Sequence, residues 1–302
     1  MADHDDHGGG LSEFTRRVLL YGTAALLLGG LGVAWATKRS EADVVTLLSS
    51  ADVQLRLAHA IPPKDKDGVE LSSRAAMIAD AEKSLEIVER LEPGKAVTAE
   101  FQGFARMLRG DYEGASAAYA RALQCADCGD EQRDVLVFNR ARVLAQAGHR
   151  AEALEVFAAA AAALDARFGP QRSLEEATIL RQLGRRVDAE KRLDQVVRDT
   201  AVAPMASLQA GIEYLALGHD DKAEAALVRA SSAVPIADYH LARLKLRRGE
   251  VDTSLQLLER VSKVVPAEVR RLLRDEADAW RSLAELPRFR ELSAERAATP
   301  GR

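Results

Sequence analysis

The chain has 302 residues, of which 47% are apolar and 29% charged, so it holds enough material for one large folded domain or two ordinary ones. Its 42 Lys and Arg against 46 Asp and Glu give a net charge of −4, which provides no electrostatic basis for binding a nucleic acid. Aromatic residues make up only 5% of the chain, which predicts closely packed helices rather than a β-sandwich.

An uncharged apolar segment near the N-terminus predicts a transmembrane helix. Residues 18–37, VLLYGTAALLLGGLGVAWAT, contain no charge over 20 positions, which is enough to cross about 30 Å of hydrocarbon. Arg16 and Arg17 precede this segment, and Lys38 and Arg39 follow it, as in an uncleaved anchor. Small residues four apart within the segment would also let two copies of the span pair, giving a homo-oligomer, although lipid packing accounts for them equally well.

Export with cleavage is the alternative interpretation of this segment. Ala34, Trp35 and Ala36 form a small-x-small triplet suited to signal peptidase, and residues 15–20 resemble a twin-arginine signal. A chain cleaved there would begin at Thr37 and be a soluble periplasmic protein. We expect the uncleaved anchor, in a bacterial inner membrane. The remaining chain is expected outside the cytoplasm, because both cleaved alternatives and one anchored orientation place it there.

Changes in composition and hydrophobic pattern divide the chain into five segments. The predicted segments are a disordered tail at 1–17, the span at 18–37, a linker at 38–43, a helical repeat domain at 44–297 and a disordered C-terminus at 298–302.

The repeat domain shows a helix–turn–helix pattern every 31 to 38 residues. In each unit a turn glycine is followed five positions later by a small residue. Small residues also stand seven positions before and mostly twelve after the glycine, and a large residue stands nine after it. We expect the small residues of the two helices to face each other, with the large residue filling the gap between neighbouring hairpins. The glycine and small-residue pairs are Gly110 and Ala115, Gly148 and Ala153, Gly184 and Ala189, Gly218 and Ala223, and Gly249 and Ser254.

Residues 101–123 and 208–230 carry this pattern most completely, and they resemble the tetratricopeptide repeat, whose period is 34 residues. The resemblance implies an all-α, right-handed TPR-like α-solenoid of about six helical hairpins, with a C-terminal capping helix pair at Glu276–Ala297. The first repeat departs from the family pattern because the loop 61–68 replaces the turn between its two helices. The repeat around Gly184 departs because arginine and glutamate occupy positions that are apolar in the other repeats.

The resemblance also implies a non-enzymatic scaffold that binds a protein or peptide in a groove lined by the first helix of each hairpin. Residues expected in this groove are apolar side chains with arginines beside them: Phe104, Phe138, Asn139, Arg142, Leu174, Arg181, Leu208, Ile212, Tyr239 and Arg243. This mixture suits an amphipathic partner segment with some acidic residues. The alternative is that these residues only pad the inner surface.

The family's clamp for a C-terminal carboxylate is not predicted, because only Asn139 matches its pattern. Glu100 and Phe104 stand where lysine and asparagine are required. The protein's layout is similar to that of envelope proteins that assist assembly, secretion or translocation complexes, and it does not choose among them.

An exported thiol-redox protein is the alternative function, and it depends on Cys125 and Cys128. Redox enzymes usually build a C-x-x-C pair into a βαβ framework that this sequence lacks. Zinc would require two further ligands, and the chain has no other cysteine. We expect no cofactor and no metal, with the two cysteines forming a local disulfide if the protein is exported.

Overall fold

The computed structural model describes residues 41–63, 69, 71–198 and 203–293, and the predicted tail, span and C-terminus lie outside these residues. No helix in the described part is long and apolar enough to span a membrane. The first helix begins at Glu41, inside the segment predicted as a linker. The helices are α1 Glu41–Ala60, α2 Ser72–Leu91, α3 Ala96–Leu108, α4 Tyr112–Gln124, α5 Asp130–Ala147, α6 Arg150–Ala159, α7 Ala161–Gln182, α8 Arg186–Arg198, α9 Pro204–Leu217, α10 Asp220–Ser231, α11 Ala237–Arg247, α12 Val251–Val264, α13 Pro266–Asp275, a 3-10 helix Ala277–Leu283 and α14 Pro287–Ser293.

These helices form consecutive antiparallel hairpins, which confirms the predicted all-α repeat fold. Within the described residues, helix contacts define the hairpins α1/α2, α3/α4, α7/α8, α9/α10 and α11/α12, followed by the capping elements. The helices α5 and α6 are joined by the turn at Gly148 and by a hydrogen bond from Arg140 to Glu152. The chain divides into two compact units, one ending at Val156 and the other beginning at Phe157. We describe each unit by itself.

The turn glycines end the first helix of their hairpins as the sequence pattern predicts. Gly148 and Gly218 have φ values of 98° and 78°, in the left-handed region that glycine adopts without strain. The next residue then closes the helix end, since His149 N donates to Leu144 O at 2.9 Å. The same bond forms in the second unit, from His219 N at 3.0 Å. The turn is therefore fixed by local backbone chemistry.

The contact between the two helices of a hairpin depends on the small residue seven positions before the turn glycine. A Cβ atom added to Gly103 would lie 2.7 Å from Tyr119 Cε1, and one added to Gly211 would lie 2.6 Å from Leu227 Cγ. The small residue thus faces the large residue of its own hairpin, whereas the sequence predicted that small residues would face each other. The predicted neighbour, Ala223, also lies close, because its carbonyl oxygen would be 3.4 Å from the added Cβ of Gly211.

The four repeating positions around each turn glycine are almost all buried. Nineteen of these twenty residues are buried, which shows that the sequence pattern marks the hairpin interior. The exception is Ala160, which is partly exposed because α6 ends one residue earlier, at Ala159.

The arginine-rich fourth hairpin pairs four of its charges in one cluster, of which Arg172 and Glu176 are buried. Glu176, which is 3% exposed, lies 2.6 Å from Arg172 Nη1 and 2.6 Å from Arg192 Nε. Arg172 also donates to Asp165 at 2.8 Å, across a kink in α7 at Phe168, where φ is −127° and ψ is 19°. Burial raises the pKa of Glu176, and the two arginines oppose that effect. These ion pairs connect the two parts of the kinked α7 through Arg172 and Asp165, and they connect α7 to α8 through Glu176 and Arg192.

The C-terminal cap centres on Trp280, which is 1% exposed. Its Nε1 donates to the Tyr239 hydroxyl at 3.0 Å, and this hydroxyl lies 2.9 Å from Glu276 Oε2. Phe289 stacks on the indole with ring centroids 6.2 Å apart. The predicted capping helix pair is present in altered form, because its first member is a 3-10 helix and its second is the short α14.

Adding one methyl group at the helix contact tests the packing of the second unit. We expect Gly211→Ala to lower the free energy of unfolding by about 1–3 kcal/mol, because the new Cβ would overlap Leu227. Alanine has a higher helix propensity than glycine by about 1 kcal/mol, and the steric overlap acts against this gain. The measurement is urea unfolding followed by circular dichroism.

Gly169→Ala is the matched control, because a Cβ at Gly169 meets nothing within 4 Å. It is expected to leave stability unchanged or to increase it. Equal effects of the two substitutions would contradict the proposed contact.

Candidate functional site

The hairpins of the second unit place their first helices side by side in one layer. Arg181 on α7 pairs with Glu213 on α9, with Nε and Oε2 2.7 Å apart. The second helices are joined in the same way, since Lys222 Nζ on α10 lies 2.7 Å from Asp194 Oδ1 on α8. We use the name first-helix surface for the side of α7, α9 and α11 that faces away from the second helices.

Four residues of α9 form a continuous stripe on this surface. Met205, Gln209, Ile212 and Ala216 follow each other at spacings of four, three and four, which places them on one side of the helix. Met205 is 53% exposed, Gln209 and Ala216 are also exposed, and Ile212 is partly exposed. We call these four residues the α9 stripe; it is mostly apolar and has no charged side chain.

The arginines beside the α9 stripe are already paired with carboxylates of the chain. Besides its Nε contact with Arg181, Glu213 has its Oε1 atom 3.0 Å from Thr178 Oγ1. On the other side, Arg243 Nη1 lies 2.8 Å from Glu276 Oε2. Each pair is partly exposed and contributes at most about 1 kcal/mol to stability. Their main effect is electrostatic, because in each pair the charge of the glutamate offsets that of the arginine.

His240 on α11 is partly buried at the margin of this surface. Burial, with a smaller contribution from the charge of Arg243, lowers the pKa of His240 to about 4. Its ring meets Tyr239 edge-on, with centroids 5.5 Å apart. The imidazole is therefore neutral at physiological pH and adds no charge to the surface.

The structure separates the predicted groove residues of the second unit into two groups. Arg181, Ile212 and Arg243 lie partly exposed on the first-helix surface. Leu174 and Leu208 are buried between helices, at 6% and 5% exposure. Their side chains are not available to a partner in this structure.

Tyr239 is buried as well, at 0% exposure, and its hydroxyl is occupied by the C-terminal cap. The sequence prediction chose the residue ten positions before the turn glycine, and this position is buried in four hairpins. The exposed neighbour one residue later, Gln209 in α9, was missed. A one-residue step turns a side chain by about 100° around the helix, so only the burial pattern of the whole hairpin identifies the outer residue.

The first unit has its own first helices, α3 and α5, joined by a hydrogen bond from Gln132 to Glu100 at 2.7 Å. Phe104 is partly exposed, and its ring centroid lies 5.7 Å from that of His59. The other predicted residues lie on α5. Of these, Asn139 and Arg142 are partly exposed, while Phe138 is buried at 9% and lies 5.9 Å below the Arg142 guanidinium.

Cys125 and Cys128 are free thiols in the structure, and the disulfide expected if the protein is exported stays a prediction. Cys125 Sγ lies 3.3 Å from Arg121 O, and Cys128 is 8% exposed in the core of the first unit. Burial and the charge of Asp127 raise the pKa of Cys125, whereas redox enzymes lower the pKa of their reactive thiol. No group of three or more His, Cys, Asp or Glu side chains in the described residues is placed to hold a metal ion.

Comparison with known proteins gives no family assignment, since neither a protein-family model nor a curated protein matches the chain. Among solved structures, the chain is similar to one titled the crystal structure of the APC/C hetero-tetramer Cut9-Hcn1, with a TM-score of 0.46 and 13% identity. The match covers 84% of this chain and 55% of that chain, so this protein spans about half of its length. The protein is a TPR-like helical repeat protein on the basis of its own glycine turns and helix contacts.

The neutral state of His240 predicts a pH dependence of stability. An unfolded histidine binds its proton near pH 6.5, while folded His240 does so near pH 4, so its contribution to stability is lost as the pH falls through this window. We expect His240→Gln to reduce the loss of unfolding free energy between pH 7 and pH 4 by about 2 kcal/mol. Urea unfolding of both proteins at the two pH values measures this difference. Equal losses in parent and variant would contradict it.

Proposed function

We propose that the protein is a non-enzymatic scaffold that binds a protein or peptide partner through the first-helix surfaces of its hairpins. The observation that carries this proposal is the α9 stripe, in which Met205 is 53% exposed on an ordered helix between two neighbouring first helices. Apolar side chains that lie next to each other on a water-exposed surface are typical of interaction sites, whereas single exposed apolar residues are common everywhere. The partly exposed Phe104 of the first unit supports a second contact region of the same kind.

We further propose that residues 18–37 tether the scaffold to a bacterial inner membrane, with the repeats on the extracytoplasmic side. The length and lack of charge of this segment support the tether. A scaffold so placed would act in an envelope assembly, secretion or translocation complex.

Site-specific photocrosslinking in cells tests the binding function. A benzophenone amino acid is introduced into the full chain at Ile212 on α9 or at Phe104 on α3. Control positions on second helices are Ala225 on α10 and Lys83 on α2, which are both exposed. We expect crosslinked products from the first-helix positions and little or none from the controls, because only the first helices contact a partner.

Products that form equally from all four positions, or only from the second helices, would contradict the proposed function. A complete lack of crosslinked products, in cells where the variants are folded and expressed, would also contradict the proposed function. Mass spectrometry of the crosslinked band shows whether the partner is another protein or a second copy of this chain.

A further inference from the structure

We infer that the partner of the second unit is an α-helical segment whose contact face is apolar or uncharged. The inference rests on the proposed function, because it specifies which chemistry fits the α9 stripe. It also revises the expectation from the sequence, which favoured a partner with acidic residues beside the predicted arginines.

Charge complementarity gives the first argument. The α9 stripe contains three apolar side chains and the uncharged Gln209. The arginines of the two neighbouring first helices are occupied, because Arg181 on α7 lies 2.7 Å from Glu213 and Arg243 on α11 lies 2.8 Å from Glu276. An acidic segment would have to displace these carboxylates, and a basic segment would meet the two arginines. A neutral contact face avoids both costs, since neither ion pair has to be broken or left unpaired.

Backbone hydrogen bonding gives the second argument, which selects a helix over an extended peptide. The first-helix surface is made of helices whose backbone N–H and C=O groups are bonded within each helix. It offers no strand edge, and Gln209 is the one amide side chain in the stripe. An extended peptide would therefore bury N–H and C=O groups without partners, whereas a helix satisfies its own.

Dimensions agree with a helical partner. The stripe runs from Met205 to Ala216, and eleven residues of helix rise about 16 Å, or three turns. Three turns of a partner helix would present apolar residues at spacings of three and four to the stripe. The amide of Gln209 can both donate and accept hydrogen bonds, which matches a Ser, Thr or Gln near the centre of the partner face.

Three synthetic peptides serve as probes of this chemistry. Each is a blocked helix of about 18 residues, a length at which helices become stable in water, with the same Glu and Lys residues on its solvent face. The contact faces differ: Leu, Met and Ala with one central Gln in the first, two Glu added in the second, and two Lys added in the third. Fluorescence anisotropy with the full chain measures their affinities at low and high salt.

We expect the neutral peptide to bind about tenfold or more tightly than either charged peptide. Its affinity should change little with salt, because the contact contains no new ion pair. Tighter binding of the Glu or the Lys peptide would overturn the inference, and so would failure of the neutral peptide to bind.

Substitutions in the stripe show whether the peptide binds there. Gln209→Glu combined with Ala216→Glu places two charges on the stripe and should weaken the neutral peptide about tenfold, because the charges must be desolvated. The matched control combines Gln256→Glu on α12 with Ala225→Glu on α10, the same two changes at exposed second-helix positions. The control should bind the neutral peptide as the parent does. Equal weakening in both variants would overturn the inference, and circular dichroism verifies that both are folded.

The peptide experiment can fail while the proposed function stands. Crosslinking at Ile212 together with preferred binding of a charged peptide would retain the scaffold and reject the neutral helical partner. Loss of crosslinking from all first-helix positions would reject the scaffold itself.

Discussion

The structure depends on a missing or minimal side chain seven residues before each turn glycine. At Gly103 and Gly211 this absence lets a large side chain of the second helix, Tyr119 or Leu227, lie directly against the first helix. Within each compact unit, apolar residues are then buried between the two helices of a hairpin and against the neighbouring hairpin. One side of the first helix therefore packs against the second helix, and the side that faces away from the second helix does not take part in this contact. The exposed α9 stripe is therefore a consequence of how the hairpins pack.

Ion pairs then set the charge of the exposed side of the first helices. Two arginines of the first helices are paired with glutamates further along the chain: Arg181 with Glu213 of the next hairpin, and Arg243 with Glu276 of the C-terminal cap. The first pair links two consecutive hairpins, and the second links the last hairpin to the cap. The surface therefore presents apolar side chains in a nearly neutral setting, and His240 keeps this character because burial lowers its pKa to about 4. A partner would gain binding energy mainly from apolar contact.

Features that depend on local backbone chemistry could be predicted from the sequence, and features that depend on distant residues could not. The turn glycines and the hairpin interiors followed from spacing alone, because both recur every 31 to 38 residues along the chain. The role of Tyr239 could not be foreseen, since its partner Trp280 is 41 residues away and lies in a cap that has no repeat signal. The pairing of Arg181 was hidden for the same reason, because Glu213 becomes its neighbour only after two hairpins pack together.

The distance between the two helices of a hairpin tests the central claim most directly. In a chain whose native cysteines are replaced by serine, Gly211→Cys combined with Leu227→Cys would bring two Cβ atoms within disulfide range, because a Cβ on Gly211 lies 2.6 Å from Leu227 Cγ. We predict nearly complete intramolecular disulfide formation under mild oxidation, measured by mass spectrometry after alkylation. Gly211→Cys with Val228→Cys is the control, since Val228 is 55% exposed and should not crosslink. Free thiols at 211 and 227 in the folded protein, or equal crosslinking in the control, would contradict the account.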